Sequence, residues 1–234
     1  MKKLSLALAG LFLLLTAFIG RDNQKEKFQA FLAEIDTVVL PYEITITDLA
    51  PKGDDQEIKM DYDKMDTYRE FIPELKTGMF SRMGPPAIEL LAKMTISEAV
   101  TGVIYAAHHR FRYFGASYLL ALYDQNGNLL DNEGKKQPKS KKNKGFFGED
   151  APRSFLLAFQ TYEDAQTAII DLEGQISIQY LSNKWEKEVA EYGIEDNKVI
   201  GHELVRMETF QLNPNGEISK LKLPVAKDAR ASLN

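Results

Sequence analysis

The chain has 234 residues, a formal net charge of −5 and no cysteine. The missing thiol excludes a disulfide scaffold, a cysteine nucleophile, a cysteine-ligated metal and lipid attachment to a cysteine after a leader. The mild acidity argues against general nucleic-acid binding, and 44% hydrophobic residues are enough to build a core and to exclude pervasive disorder.

The first twenty residues read MKKLSLALAGLFLLLTAFIG. Lys2 and Lys3 precede an uncharged run from Leu4 to Gly20, the pattern of a Sec-type export signal. Ala17, with Leu15 two places before it, fits the small-x-small cleavage rule loosely, and Gly20, with Phe18 there, fits it worse. An uncleaved anchor therefore stays open, since the run is near the lower length limit of a membrane span. Removing the two lysines with this segment leaves a net charge of −7. The expected organisation is an export signal or anchor over 1–20, a helix-containing part over 21–100 and a β-hairpin meander over 101–234. The last two are expected to form one globular domain.

Asn23 to Asp36 reads as a helix. Phe28, Phe31, Leu32 and Ile35 fall on one face of a period of about 3.6 residues, and Asn23 with Glu26 form a capping box. The segment TVVLPYEITIT alternates from Tyr42 onward, which predicts a strand over Thr37–Thr47 with Pro41 marking an edge or bend. Ala50 to Asp66 is acidic and weakly periodic, and is expected to be a solvated loop with at most one short strand. GPPAIELLAKM is expected to be a helix entered through proline, with Ile88, Leu91 and Leu90 facing the core.

From Thr101 the pattern changes to strands. TGVIYAAHHRFRYFGASYLLALYDQNGNLLDNEG predicts strand, turn at Gly115, strand, turn at Asn126-Gly127, strand. A lysine-rich, proline-broken loop follows, and RSFLLAFQTY resumes as a strand. QTAIIDLEGQISIQYL predicts a hairpin turning at Glu173-Gly174, and ELVRMETFQLNPNGEISKLKL another turning at Asn215-Gly216. NKWEKEVAEYG fits either a short helix boxed by Asn183 and Glu186 or a strand carrying Trp185.

The stretch DQNGNLLDNEG, Asp124 to Gly134, superficially resembles a calcium loop. An EF-hand loop started at Asp124 needs glycine at position 6 and glutamate at position 12. Leu129 and Lys135 stand there instead. Asn-Gly between apolar segments is instead a hairpin sequence, expected as a primed turn with positive φ at both central residues. Glycines 127, 174 and 216 lie 47 and 42 residues apart. That spacing resembles propeller blades, but three copies are too few for a propeller, and one curling meander accounts for them.

The export signal, short helix, LPY strand and glycine-turned hairpins together resemble uncharacterised bacterial envelope proteins built of hairpin meanders. The resemblance implies location and architecture and carries over no catalytic residue.

Several residues are candidates for chemistry. His108 and His109 point to opposite faces of a strand, so they cannot chelate one metal together; a structural pair is expected. In RFRYF, Arg110 and Arg112 would present guanidinium groups on one face and rings on the other, either to an anion or simply to solvent. Lys135, Lys136, Lys139, Lys141, Lys142 and Lys144 form a positive loop suited to an anionic surface, or a solvated spacer. Asp54, Asp55, Glu57, Asp61, Asp63 and Asp66 match no metal-loop spacing and read as a solvated acidic face. No G-x-S-x-G, P-loop, G-x-G-x-x-G or H-E-x-x-H occurs.

The expected fold is α+β, mainly β: an N-terminal helix plus an antiparallel meander curling into a sandwich or barrel. The expected function is a non-catalytic binding or structural module of the bacterial cell envelope, periplasmic or secreted. It has no cofactor, no metal and no nucleic-acid partner, and meets a membrane only through an uncleaved N-terminus. A carboxylate-dependent hydrolase acting on envelope or dietary glycans is the second reading.

Overall fold

A computed structural model describes residues 24–49, 64–76, 86–108, 116–135, 154–187 and 197–222. The export segment, the cap at Asn23, the acidic residues 54–63 and the turn at Gly115 lie outside the described residues. No helix among the described residues is long and apolar enough to cross a membrane.

Residues 24–33 form a helix, α1. Its expected apolar face is the buried one: Phe28, Phe31, Leu32 and, just beyond the helix, Ile35. The strand expected over Thr37–Thr47 is mostly absent. Thr37 makes one parallel bridge to Lys93, the Leu40–Pro41 peptide is cis, and only Tyr42–Ile44 forms a strand, β1. Thr45 ends β1. Its N–H and Oγ1 both donate to Asp48 Oδ2, at 2.7 and 2.8 Å, which diverts an alternating run into the short helix α2, Ile46–Leu49. Two further short helices, α3 (Met65–Phe71) and α4 (Pro73–Lys76), follow.

Ala87–Thr95 is a strand, β2, not the expected helix. It pairs antiparallel with β3, Val100–His108, from Ala87↔His108 to Thr95↔Thr101, with a register shift at Leu91. Ile88 and Leu90 pack on one core, while Leu91 and Met94 pack on the other. A strand with apolar residues on both faces and one bulge imitates helical spacing, and the pairing with β3 decides against it.

The remaining strands are β4 (Ser117–Asp124), β5 (Phe155–Gln160), β6 (Asp164–Ile170), β7 (Gln175–Trp185), β8 (Val199–Leu212) and β9 (Ile218–Lys220). Trp185 thus lies on a strand. The sheet runs β2-β3-β4-β5-β6-β7-β8-β9 with every neighbour antiparallel, and β1 pairs with β6. The fold is α+β and mainly β, an open sheet that curls.

Two cores use opposite faces of β3 and β4. Val103, Tyr105, Ala107, Leu119, Ala121 and Tyr123 meet α1 and α3, where Phe71 lies 5.3 Å from Phe28 and 5.0 Å from Phe31 between ring centroids. Ile104, Ala106, Tyr118, Leu120 and Leu122 face a second core that includes Ala168, Ile170, Ile176, Ile178, Leu212 and Ile218. Each large aliphatic chain fully buried in this way stabilises by about 1.5–3 kcal/mol relative to exposure.

β5 turns the corner between the halves. It pairs with β4 through Phe155, Leu156 and Ala158, and with β6 through Phe159 and Gln160. Beyond that point β1 takes the β6 edge, opposite Ala168–Ile170. The buried Gln166 bridges the divergence, donating from Nε2 to the carbonyls of Leu156 and Leu157 at 3.0 and 2.8 Å. At the other end the last hairpin returns to the loop after β4. Ile218 N donates to Asn132 O at 2.8 Å, and Ser97 Oγ to Pro214 O at 2.7 Å.

The four glycine turns share one construction, and the primed turn expected at Asn126-Gly127 is corrected by it. Gly127 N donates to Asp124 O and Asp124 N donates to Asn128 O, both at 2.9 Å. That is a three-residue loop, a type I turn closed by a glycine bulge, with Gly127 at φ 74°. Asp124 Oδ1 accepts from the N–H groups of Asn126 and Asn128, both at 2.9 Å. The same backbone pattern recurs at Asp131–Lys135, Asp171–Gln175 and Asn213–Glu217. The Asp131 copy extends the three glycine turns read from the sequence.

Candidate functional site

Arg110, Arg112, His109, Lys136, Lys139, Lys141, Lys142 and Lys144 lie outside the described residues. Lys135 is described. Its N–H donates to Asp131 Oδ1 at 2.8 Å and its Nζ to Glu133 Oε2 at 2.6 Å. The hydrogen bond and charge of Glu133 raise its pKa. Lys135 therefore belongs to the second Asp-x-x-Gly turn and pairs, at the surface, with that turn's own carboxylate.

His108 ends β3 on the same face as Ile104 and Ala106, the inner face of the curl. Its Nε2 lies 2.9 Å from Glu89 Oε2. Glu89 on β2 sits opposite Ala106, which sits opposite Tyr118 on β4, so the three share a row across the sheet. Tyr118 Oη donates to the Asp48 carbonyl at 2.8 Å. Burial, then the charges of Asp48, Glu89 and Tyr42, push the Tyr118 phenol up to about 12. Tyr42 is raised by burial and by the same two carboxylates. A histidine, two carboxylates and two phenols thus meet at one end of the inner face. A histidine–carboxylate pair can exchange protons with a bound molecule. Asp48 Oδ2, by contrast, already accepts both Thr45 hydrogen bonds.

A second polar group lies under α4. Tyr105 Oη donates to the Glu74 carboxylate and lies 2.6 Å from Ser154 Oγ. Burial raises the Glu74 pKa against the opposing hydrogen bonds from Tyr105 and Ser154. Burial also drives Tyr105 well above its ordinary value. Nearby, Tyr123 Oη donates to Phe71 O at 2.7 Å. These bonds fasten α3 and α4 to the sheet. No sequence pattern marked Glu74, because its partners come from residues 31 and 80 positions away.

The third feature is the outer half of β8. Ile200, Leu204, Val205 and Met207 are 50–68% exposed. On the inner side Glu208 collects cations: Lys220 Nζ at 2.7 Å and Arg206 Nε at 3.5 Å, both to Oε1, while Tyr180 Oη donates to Oε2 at 3.2 Å. The Lys220 hydrogen bond leads the lowering of the Glu208 pKa. The Arg206 guanidinium lies 3.9 Å over the Tyr180 ring, a cation–π contact. ELVRMETF was legible as a strand, but its exposure was not, since that depends on which neighbours the sheet supplies.

Among the described residues no group of three or more His, Asp or Glu is placed to hold a metal ion. No family model, no curated protein and no solved structure matches this chain.

Proposed function

We propose that the chain is a non-catalytic binding or structural module of the bacterial cell envelope. The observation that carries this reading is the filled interior. Both faces of β3 and β4 are covered by side chains, and the inner face is packed from β1 through β9. Among the described residues, a sheet packed in this way supports a reading in which partners meet its outside. The export-like sequence of residues 1–20 supports an envelope location.

The partner chemistry proposed for residues 135–144 is an anionic surface, through Lys136, Lys139, Lys141, Lys142 and Lys144 with Lys135 at the base. Each lysine near a charged membrane contributes about 1 kcal/mol, fading beyond a Debye length. The test is co-sedimentation with phosphatidylserine-containing vesicles at low and high salt, using the wild type and a variant with all six lysines changed to serine. Salt-sensitive binding lost in the variant supports the reading. Equal binding by both proteins, or by neither, rejects the anionic-surface partner.

The second reading, a glycan hydrolase, draws on the neighbourhood of Glu89 and Asp48, whose charges both raise the Tyr118 and Tyr42 phenols while Glu89 Oε2 lies 2.9 Å from His108 Nε2. Paired carboxylates are the working groups of such enzymes. Release of reducing sugar from envelope polysaccharide, abolished in Glu89→Gln, would favour it over the module.

A further inference from the structure

We propose that the open edge of β8 pairs antiparallel with the same edge of a second copy of this chain. The proposal rests on β8 and is independent of the lysine loop.

β8 spans Val199–Leu212, but β9 covers only Phe210–Leu212 of its outer edge, with one further bond from Leu221 N to Thr209 O. Among the described residues no strand pairs with that edge from Val199 to Glu208. Long open edges that carry apolar side chains are templates for strand addition. This one carries Ile200, Leu204, Val205 and Met207, all exposed.

The identity of the partner follows from charge and register. Two antiparallel copies related by a two-fold axis normal to the sheet keep the same face up, so directly opposite residues must share a face. In a regular strand Glu203 and Arg206 would point to opposite faces. Here β8 carries an extra residue: Leu204 sits opposite Leu181 and Arg206 opposite Tyr180, with Val205 between them. Glu203 sits opposite Ser182, two residues from Tyr180, so Glu203 and Arg206 share a face. An axis between Leu204 and Val205 then sets Glu203 against Arg206 of the partner subunit, and Arg206 against Glu203 of the partner subunit. A bulge usually discourages edge pairing. This one makes the edge self-complementary in charge.

Both charges have contacts within the chain: Glu203 with Lys184 at 3.2 Å, and Arg206 with Glu208 and the Tyr180 ring. Charge reversal separates these contacts from a contact across the axis. Sedimentation of the protein as isolated should show a concentration-dependent dimer. Glu203→Arg or Arg206→Glu alone sets like charges against each other twice, and should weaken the dimer at least about tenfold. The double variant Glu203→Arg/Arg206→Glu should restore it, although it repairs neither contact within the chain. The register has its own readout, since the chain has no other thiol. Under air oxidation, with oxygen taking the two electrons and two protons, Glu203→Cys protein mixed with Arg206→Cys protein should form a disulfide-linked heterodimer, while each alone stays uncrosslinked. A wild type that is monomeric at all concentrations overturns the proposal. So does a dimer indifferent to both reversals, or one not restored by the double variant.

Discussion

Phe155 and Phe210 meet edge to face with ring centroids 5.2 Å apart, although β6 and β7 lie between their strands. In a flat sheet three strand spacings would separate them by about 14 Å. Their contact therefore measures the curl that encloses the inner core. Phe210→Ala should destabilise by about 2 kcal/mol, less than a fully buried phenylalanine because the ring is half-buried. A double-mutant cycle with Phe155→Ala should return a coupling of about 0.5–1.5 kcal/mol. Strictly additive losses in denaturant melts would show that the rings do not hold the curl together.

Gly127 is fixed twice over. Its φ is 74°, and an added Cβ would come within 2.7 Å of the Phe28 ring on α1. Gly127→Ala should cost about 2–3 kcal/mol, combining backbone strain with displacement of a core ring. Asp124→Ala, which removes the acceptor for two turn N–H groups, should cost about 1–3 kcal/mol. Saturating calcium should leave the melting temperature unchanged in both variants and in the wild type. A calcium-induced rise that Asp124→Ala abolishes would reinstate a metal loop.

Glu74 gives a pH dependence with a definite sign. Burial raises its folded-state pKa above the unfolded value, so the native state holds this proton more tightly than the unfolded chain does. Its contribution to stability is fully present below the ordinary carboxylate range and is lost as pH rises through the raised value. Glu74→Gln should flatten that part of the stability–pH curve measured by urea melts. An unchanged slope would contradict the assignment.

Tyr162 packs against Trp185 with centroids 4.6 Å apart, and its buried hydroxyl has no hydrogen-bond partner among the described residues. Removing an unsatisfied buried group relieves its desolvation cost. Tyr162→Phe should therefore be neutral or stabilising by about 1 kcal/mol in thermal melts. A loss of more than about 1 kcal/mol would mean that the hydroxyl has a partner.

Local rules reached the helix face, the β6–β7 and β8–β9 hairpins and the glycine turn positions. The spacing of Phe28, Phe31, Leu32 and Ile35 is set within one helix, and the Asp-x-x-Gly turns close within five residues. Ala87–Thr95 resembles a helix in sequence because its two apolar faces are distinguished only by β3 on one side and by the two cores. The strand expected over Thr37–Thr47 failed at Thr45, where a capping interaction outcompeted alternation. The polar groups at Glu89, His108 and Tyr118 come from three strands, and they come together only once the register is set.

The place of work proposed for this chain is the cell envelope. Its most direct test is fractionation of bacteria expressing the full-length chain, with N-terminal sequencing of the product. The predicted result is protein in the periplasmic, membrane or secreted fraction, either shortened near residue 20 or held by the intact leader in the membrane. Protein in the cytosol with Met1 in place would contradict it.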